Sequence, residues 1–100
     1  NIVAIELKRK NKEFYYWKDL KHHEVDFVIK ENTKVTSLLQ VCYDISDETT
    51  KKREITGLLN ASQALKCNNL YIITENEDKE ETIENKKIRY IPLWKFLLRK

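Results

Sequence analysis

Glu24-Val25-Asp26-Phe27-Val28-Ile29 and Ser37-Leu38-Leu39-Gln40-Val41-Cys42-Tyr43 are the stretches that decide the fold. The first alternates: Val25, Phe27 and Ile29 fall on one face, and Glu24, Asp26 and Val28 on the other. The second places Gln40 and Cys42 at i and i+2, so both point to one side of a strand. The strands that contain them run over residues 23–30 and 34–43, and only Glu31-Asn32-Thr33 separates these, a connection of hairpin length with turn-forming residues. An antiparallel pair is therefore expected.

Upstream, Glu13 to Lys18 contains four aromatics in a row (Phe14-Tyr15-Tyr16-Trp17) and reads as a further strand. Asp19 to His22 is a polar turn. Links this short allow no crossover, so the three strands form an antiparallel meander. Asn1 is placed to cap a first helix that runs to about Lys10. Downstream, Ser46 or Asp47 caps a helix to about Lys66, with Ile55, Leu58, Leu59, Ser62 and Leu65 as its core stripe. Leu70 to Thr74 is continuously apolar, as in strands buried on both faces, and the helix before it makes it a parallel partner for the third strand. The acidic stretch Glu75–Glu84 reads as an exposed loop or hairpin arm. Lys87 to Ile91 is a last strand, and Pro92 opens a terminal helix containing Leu93-Trp94-Lys95-Phe96-Leu97-Leu98. The order is αβββαββα, an α/β (α+β) class domain with a mixed sheet, single over residues 1–100.

The formal net charge of +3 permits nucleic-acid binding without requiring it. Its distribution is more specific. Lys8-Arg9-Lys10 and Lys51-Lys52-Arg53 are basic clusters, which makes Lys8, Arg9, Lys51, Lys52 and Arg53 candidates for phosphate contacts. Cys42 and Cys67 lack metal-ligand spacing and read as reduced thiols, so a cytoplasmic location is expected. No apolar run approaches the roughly 20 residues of a membrane span. There is no Gly-x-x-x-x-Gly-Lys loop, since the only glycine is Gly57. The absence of methionine, and an opening directly in a periodic segment, suggest a piece of a longer protein.

A helix acid (Glu6), a strand acid (Asp26) and a polar pair on the next strand (Gln40 and Cys42) follow one another in the order that resembles the PD-(D/E)XK nuclease core. Phosphodiester cleavage needs carboxylates converging on a divalent cation and a cationic group to stabilise charge on phosphate. The family pair is Glu-x-Lys; this chain has Gln40-Val41-Cys42. The longer phrases Glu-Val-Asp-Phe-Val-Ile, Leu-Gln-Val-Cys-Tyr-Asp-Ile-Ser with Thr50 and Arg53-Glu54, and Ile91-Pro92-Leu93-Trp94-Lys95 are similar to an archaeal domain of unknown function. That domain follows an AAA+-type ATPase module and is itself restriction-endonuclease-like. The resemblance implies an αβββαβ core with an added C-terminal strand and short helix, and Mg²⁺ or Mn²⁺ as cofactor. It implies Asp26, Gln40 and Glu6 as metal ligands in a catalytic set completed by Cys42, at the lysine position. DNA and the ATPase module of the same protein are the implied partners.

Gln40 offers a neutral amide oxygen where a carboxylate is expected, a weaker ligand for a hard cation. Cys42 cannot stabilise charge on phosphate as an amine does. The leading expectation is thus a catalytically degenerate DNA-binding or regulatory module. An active Mg²⁺- or Mn²⁺-dependent endonuclease with an atypical site is the alternative, with Lys51, Lys52 or Arg53 supplying the cation. A third reading is a protein-interaction or homodimerisation module using the terminal helix. Plain structural roles compete at each position: Glu6 pairs with Lys10 at i+4, Gln40 bonds inside the sheet, and Cys42 acts as a small buried hydrophobe. Adjacent histidines such as His22-His23 are mostly without function in a turn.

Overall fold

The structure, a computed structural model, describes residues 1–98. Helix α1 (Ile2–Arg9) leads into strands β1 (Glu13–Lys18), β2 (Glu24–Glu31) and β3 (Lys34–Val41). Helix α2 (Glu48–Leu65) connects to β4 (Leu70–Thr74), followed by β5 (Lys79–Ile83), β6 (Lys86–Pro92) and α3 (Leu93–Leu98). All six strands form one sheet in the order β1-β2-β3-β4-β6-β5. The first three are the expected antiparallel meander, β4 lies parallel to β3, and β6 lies parallel to β4. The α/β (α+β) class with a mixed sheet is as expected.

Local chemistry explains the element ends. The Asn1 side chain accepts a hydrogen bond from the Val3 amide at 2.7 Å, capping α1. Of the two candidates for the next cap, Asp47 holds the position, accepting from the amides of Thr49 and Thr50. Lys66 closes α2 in the left-handed conformation at φ 54°.

Helix α2 covers one face of the sheet over a core of Val25, Val28, Leu38, Cys42, Leu58, Ala61, Ile72, Ile88 and Tyr90. The short helices α1 and α3 cover the other, over Val3, Leu7, Phe27, Ile29, Leu39, Ile73, Ile91 and Phe96. Leu38 and Leu39, Ile72 and Ile73, and Tyr90 and Ile91 divide between these two cores, so the middle of the sheet is buried on both faces, and the short β4 accordingly reads as a continuous apolar run.

Two features depart from the sequence reading. The acidic stretch is a hairpin arm, one of its two expected forms, but it contributes a strand missing from the expected order, β5, paired antiparallel with β6. Its Lys-Glu-Glu-Thr-Ile carries almost no apolar alternation, so periodicity could not reveal it. The turn is made by Glu84 and Asn85, both at positive φ (50° and 67°), as a two-residue hairpin of the primed type requires. Second, Val25 does not share a face with Phe27. Tyr15 pairs with Val28 and Trp17 with Val25, so β2 carries one extra residue there. This bulge swings Val25 to the α2 side and places Asp26 where the ladder is interrupted.

Gly57 sets how closely α2 approaches the sheet. A Cβ at this position would collide with the Glu24 carbonyl oxygen and lie 2.9 Å from Gln40 Nε2. In a helix interior, glycine to alanine normally stabilises by about 1 kcal/mol. Here overpacking costs about 1–3 kcal/mol or more and wins, because a backbone carbonyl cannot move aside. Gly57→Ala is therefore expected to lower the urea midpoint; an unchanged or higher midpoint would show that the helix can back away.

Candidate functional site

The bulge in β2 opens a cleft of about 600 Å³ lined by His22, His23, Glu24, Asp26, Gln40, Thr49, Lys52, Arg53, Glu54 and Thr56. The β1–β2 turn and β2 supply one wall, and the first half of α2 supplies the other. Between them the β2–β3 ladder starts regularly only at Phe27 opposite Leu39. One step nearer the cleft, side chains replace the backbone pairing. The Asp26 amide donates to Gln40 Oε1 at 2.9 Å, and the Val41 amide donates to Asp26 Oδ2 at 2.8 Å.

Gln40 is almost wholly buried, and its amide group is fully engaged. Besides accepting from Asp26, its Nε2 donates to the carbonyl oxygens of Glu24 (2.7 Å) and Glu54 (3.1 Å). One side chain thus ties β2, β3 and α2 together. Its oxygen faces a backbone donor rather than the cleft, so the ligand role implied by the resemblance conflicts with the bonds it makes.

The four expected groups do not converge. Glu6 lies on α1, against the opposite face of the sheet, where Arg9 forks onto it at 2.6 and 2.9 Å and Lys10 stands at 3.4 Å. The expectation that Glu6 closes the site is corrected: α1 packs on the far side because Val3 and Leu7 belong to that core. The Arg9 bond holds the Glu6 carboxyl below its ordinary range, aided by Lys10. Cys42 does share the α2 face with Gln40, but as a core residue whose thiol donates to the Asp44 carbonyl at 3.4 Å. Burial raises its pKa, and the charges of Glu54 and Asp44 push the same way.

The basic candidates separate too. Lys52 and Arg53 line the cleft, with the Arg53 side chain 70% exposed and its guanidinium 4.0 Å from Glu54. Lys51 turns away and is largely buried, 3.7 Å from Glu81 and over the Tyr90 ring. Lys8 and Arg9 ride on α1, outside the cleft, and Arg9 is committed to Glu6. Of the histidines, His23 Nδ1 meets Asp19 Oδ2 at 2.7 Å, and exposed His22 sits at φ 66°.

Glu54 is the cleft residue that the sequence reading left without a role. Its position in the sequence carries a signal. Glu54, Leu58, Ala61 and Leu65 fall at i, i+4, i+7 and i+11, which puts an acid on the buried stripe of a helix. Burial pushes its pKa up to about 7, with the Asp26 charge adding to the shift, Arg53 opposing it and Glu24 adding to it. Asp26 is raised as well, chiefly by burial, against the Val41 amide that favours its charged form. Among the described residues, no three His, Cys, Asp or Glu side chains are grouped so as to hold a metal ion. No helix among them is long and apolar enough to cross a membrane.

Residues 1–96 match the family described as a domain of unknown function, DUF4143. The chain belongs to that family. No curated protein and no solved structure matches it significantly. The β2–β3–α2 junction is thus a feature of a DUF4143 domain, and its chemistry has to be read from its own residues.

Two outcomes follow from the DUF4143 cleft. Gln40→Glu restores the acid of the nuclease pattern but removes both donors to Glu24 and Glu54 and buries a charge beside two carboxylates. It should destabilise by about 2–4 kcal/mol at neutral pH, and less in acid, in denaturant titrations. Glu54 binds its proton more tightly folded than unfolded. Its stabilising contribution is therefore complete below about pH 4.5 and is lost as the pH climbs to about 7. The loss amounts to up to about 3 kcal/mol. Thermal melts of Glu54→Gln should lack this decline; an identical decline in the variant would assign it to other groups.

Proposed function

We propose that this domain is a restriction-endonuclease-like scaffold without cleavage chemistry, acting as a DNA-binding or regulatory module beside an AAA+-type ATPase in a longer protein. The observation that carries the reading is the Gln40 amide. All three of its hydrogen-bonding contacts serve the junction of β2, β3 and α2, where a catalytic site would need a free ligand. Cys42 supports it, being a buried thiol where phosphate chemistry would need a cation. DNA is the favoured partner because Lys52 and Arg53 stand together, exposed, at an open cleft that also holds His22 and His23, although Glu24, Asp26 and Glu54 in the same lining oppose a phosphate. Phosphate contacts of this kind give binding that weakens steeply with salt.

The alternative, a Mg²⁺- or Mn²⁺-dependent endonuclease, would rely on Asp26 with Glu54 as a second acid. The interaction-module reading draws on the terminal helix, where Trp94 is 57% and Leu98 74% exposed.

Three assays separate these readings. Fluorescence anisotropy with a short duplex should show salt-dependent binding that Lys52→Glu with Arg53→Glu weakens about tenfold or more. Plasmid and branched DNA should stay intact with Mg²⁺ or Mn²⁺. Cleavage that Asp26→Ala abolishes would overturn the non-catalytic reading. Absence of any DNA binding at low salt would favour the interaction module.

A further inference from the structure

The two faces of the sheet are covered unequally. On one, α2 has 18 residues, about 27 Å of helix. On the other, α1 has 8 and α3 has 6, about 12 and 9 Å of helix. Helices so short leave a groove between them of about 430 Å³, on the opposite face from the β2–β3–α2 cleft. Its floor is Ile29, Leu39, Ile73 and Ile91, one from each of four adjacent strands, and Leu7 of α1 and Phe96 of α3 are its walls. Pockets for single small ligands span about 300–1,000 Å³ and have this character, an apolar lining with a few polar groups.

The charged groups of the lining are of one sign. Lys10 and Lys12 line the groove, and no acid does. The acids paired with these lysines do not cancel them. Glu6 takes a two-pronged bond from Arg9 at 2.6 and 2.9 Å and stands only 3.4 Å from Lys10. Glu31 is 3.4 Å from Lys12, in a pair exposed to water on both sides, where attraction is weak. The neighbouring Glu13 lies opposite Lys30 in the β1–β2 ladder. Three cations, Arg9, Lys10 and Lys12, thus meet two acids, Glu6 and Glu31. Lys10 Nζ is held at the wall, 5.0 Å from the centre of the Phe96 ring and 3.4 Å from the Phe96 carbonyl oxygen. Its side chain is only 17% exposed, so salt screens it little. Past Tyr71 and Ile91 the surface continues to Arg89 and Lys95, but both are committed to Asp78, and Glu80 stands beside them. The uncancelled charge is at the Lys10–Lys12 end.

We infer that this groove binds a small amphiphilic anion, a medium-chain carboxylate. Its alkyl chain lies along Ile29, Leu39, Ile73 and Ile91, and its head meets Lys10 and Lys12. Charge complementarity selects this occupant. A neutral apolar molecule would cover the Lys10 ammonium without answering its charge, and a cation would be repelled. The Ser37 hydroxyl, which bonds nothing among the described residues, is a further donor in the lining.

Titration with decanoate, followed by chemical shifts in NMR spectra of the whole chain, tests this. Saturable shifts centred on Leu39, Ile73 and Ile91 are expected, with a dissociation constant of about 0.1–1 mM. Decanol should bind about tenfold more weakly and decylamine more weakly still. Acetate, which lacks the apolar body, should not bind. Lys10→Met with Lys12→Met should bring decanoate down to the affinity of decanol and leave decanol unchanged. Ser37→Leu, which fills the floor, should weaken both. Equal affinity of the native chain for decanoate and decanol overturns the inference. So do shifts centred on the exposed Trp94 and Leu98, or no saturation by ~3 mM decanoate. If the lysine variant unfolds, the order of decanoate, decanol and decylamine on the native chain decides the matter.

Discussion

The junction of three elements on one amide is the constraint on which the rest of the structure depends. Gln40 meets β2 through Asp26 and Glu24, and α2 through the Glu54 carbonyl. Buried with all its polar atoms satisfied, it costs little to desolvate, whereas losing one partner would leave buried groups unpaired. The bulge in β2, the side-chain substitution for ladder bonds and the close approach at Gly57 all occur within one turn of α2 from this amide. They form a single arrangement. The bulge leaves the Asp26 amide without a strand partner, Gln40 supplies one, and the absence of a Cβ at Gly57 lets the helix come near enough to be held.

At the other end of the sheet the acidic arm performs an analogous task with charge. Asp78 bridges Arg89 of β6 at 2.6 Å and Lys95 of α3 at 2.9 Å, joining sheet and terminal helix. The Tyr90 hydroxyl donates to Glu81 at 2.6 Å, while Lys51 and Lys79 stand over its ring. Glu75–Glu84 is therefore a brace in part, and two of its acids are answered by specific cations. Lys51, which by sequence was a phosphate candidate, is recruited into this brace by proximity that no local pattern encodes.

Residue pattern made the strands legible wherever burial was strong. The alternation in β2, the aromatic run of β1 and the apolar run of β4 each gave the right element, and the short links gave the meander. What stayed hidden depended on contacts distant in sequence. Alternation alone put Val25 with Phe27, because a bulge is specified by the partner strand and not by the strand itself. Strand β5 is polar because its edge position frees it from packing, so the signal used to find strands was absent. For the cleft, Asp26 and Gln40 were found as neighbours, and the helical position of Glu54 was readable but unused. Glu6 was misplaced because a helix acid carries no mark of which sheet face its helix will cover; that choice belongs to Val3 and Leu7.

The electrostatics of the cleft follow from the same residues. Asp26 and Glu54 approach each other from β2 and α2 in a partly buried space, with Glu24 near both. Two carboxylates so placed favour keeping a proton, unless a cation lies between them. Cys42, buried in the core on the α2 side of the sheet, supplies no charge to this space. Arg53 is the nearest compensating cation, and it is mostly in water, 4.0 Å from Glu54, where its effect is screened. Burial is the first cause both of the proton Glu54 keeps near neutral pH and of the raised Cys42 thiol, and the neighbouring acids add to each. Lys52 and Arg53 line the same cleft but are exposed, and the proton on Glu54 offsets acid charge that these screened cations do not.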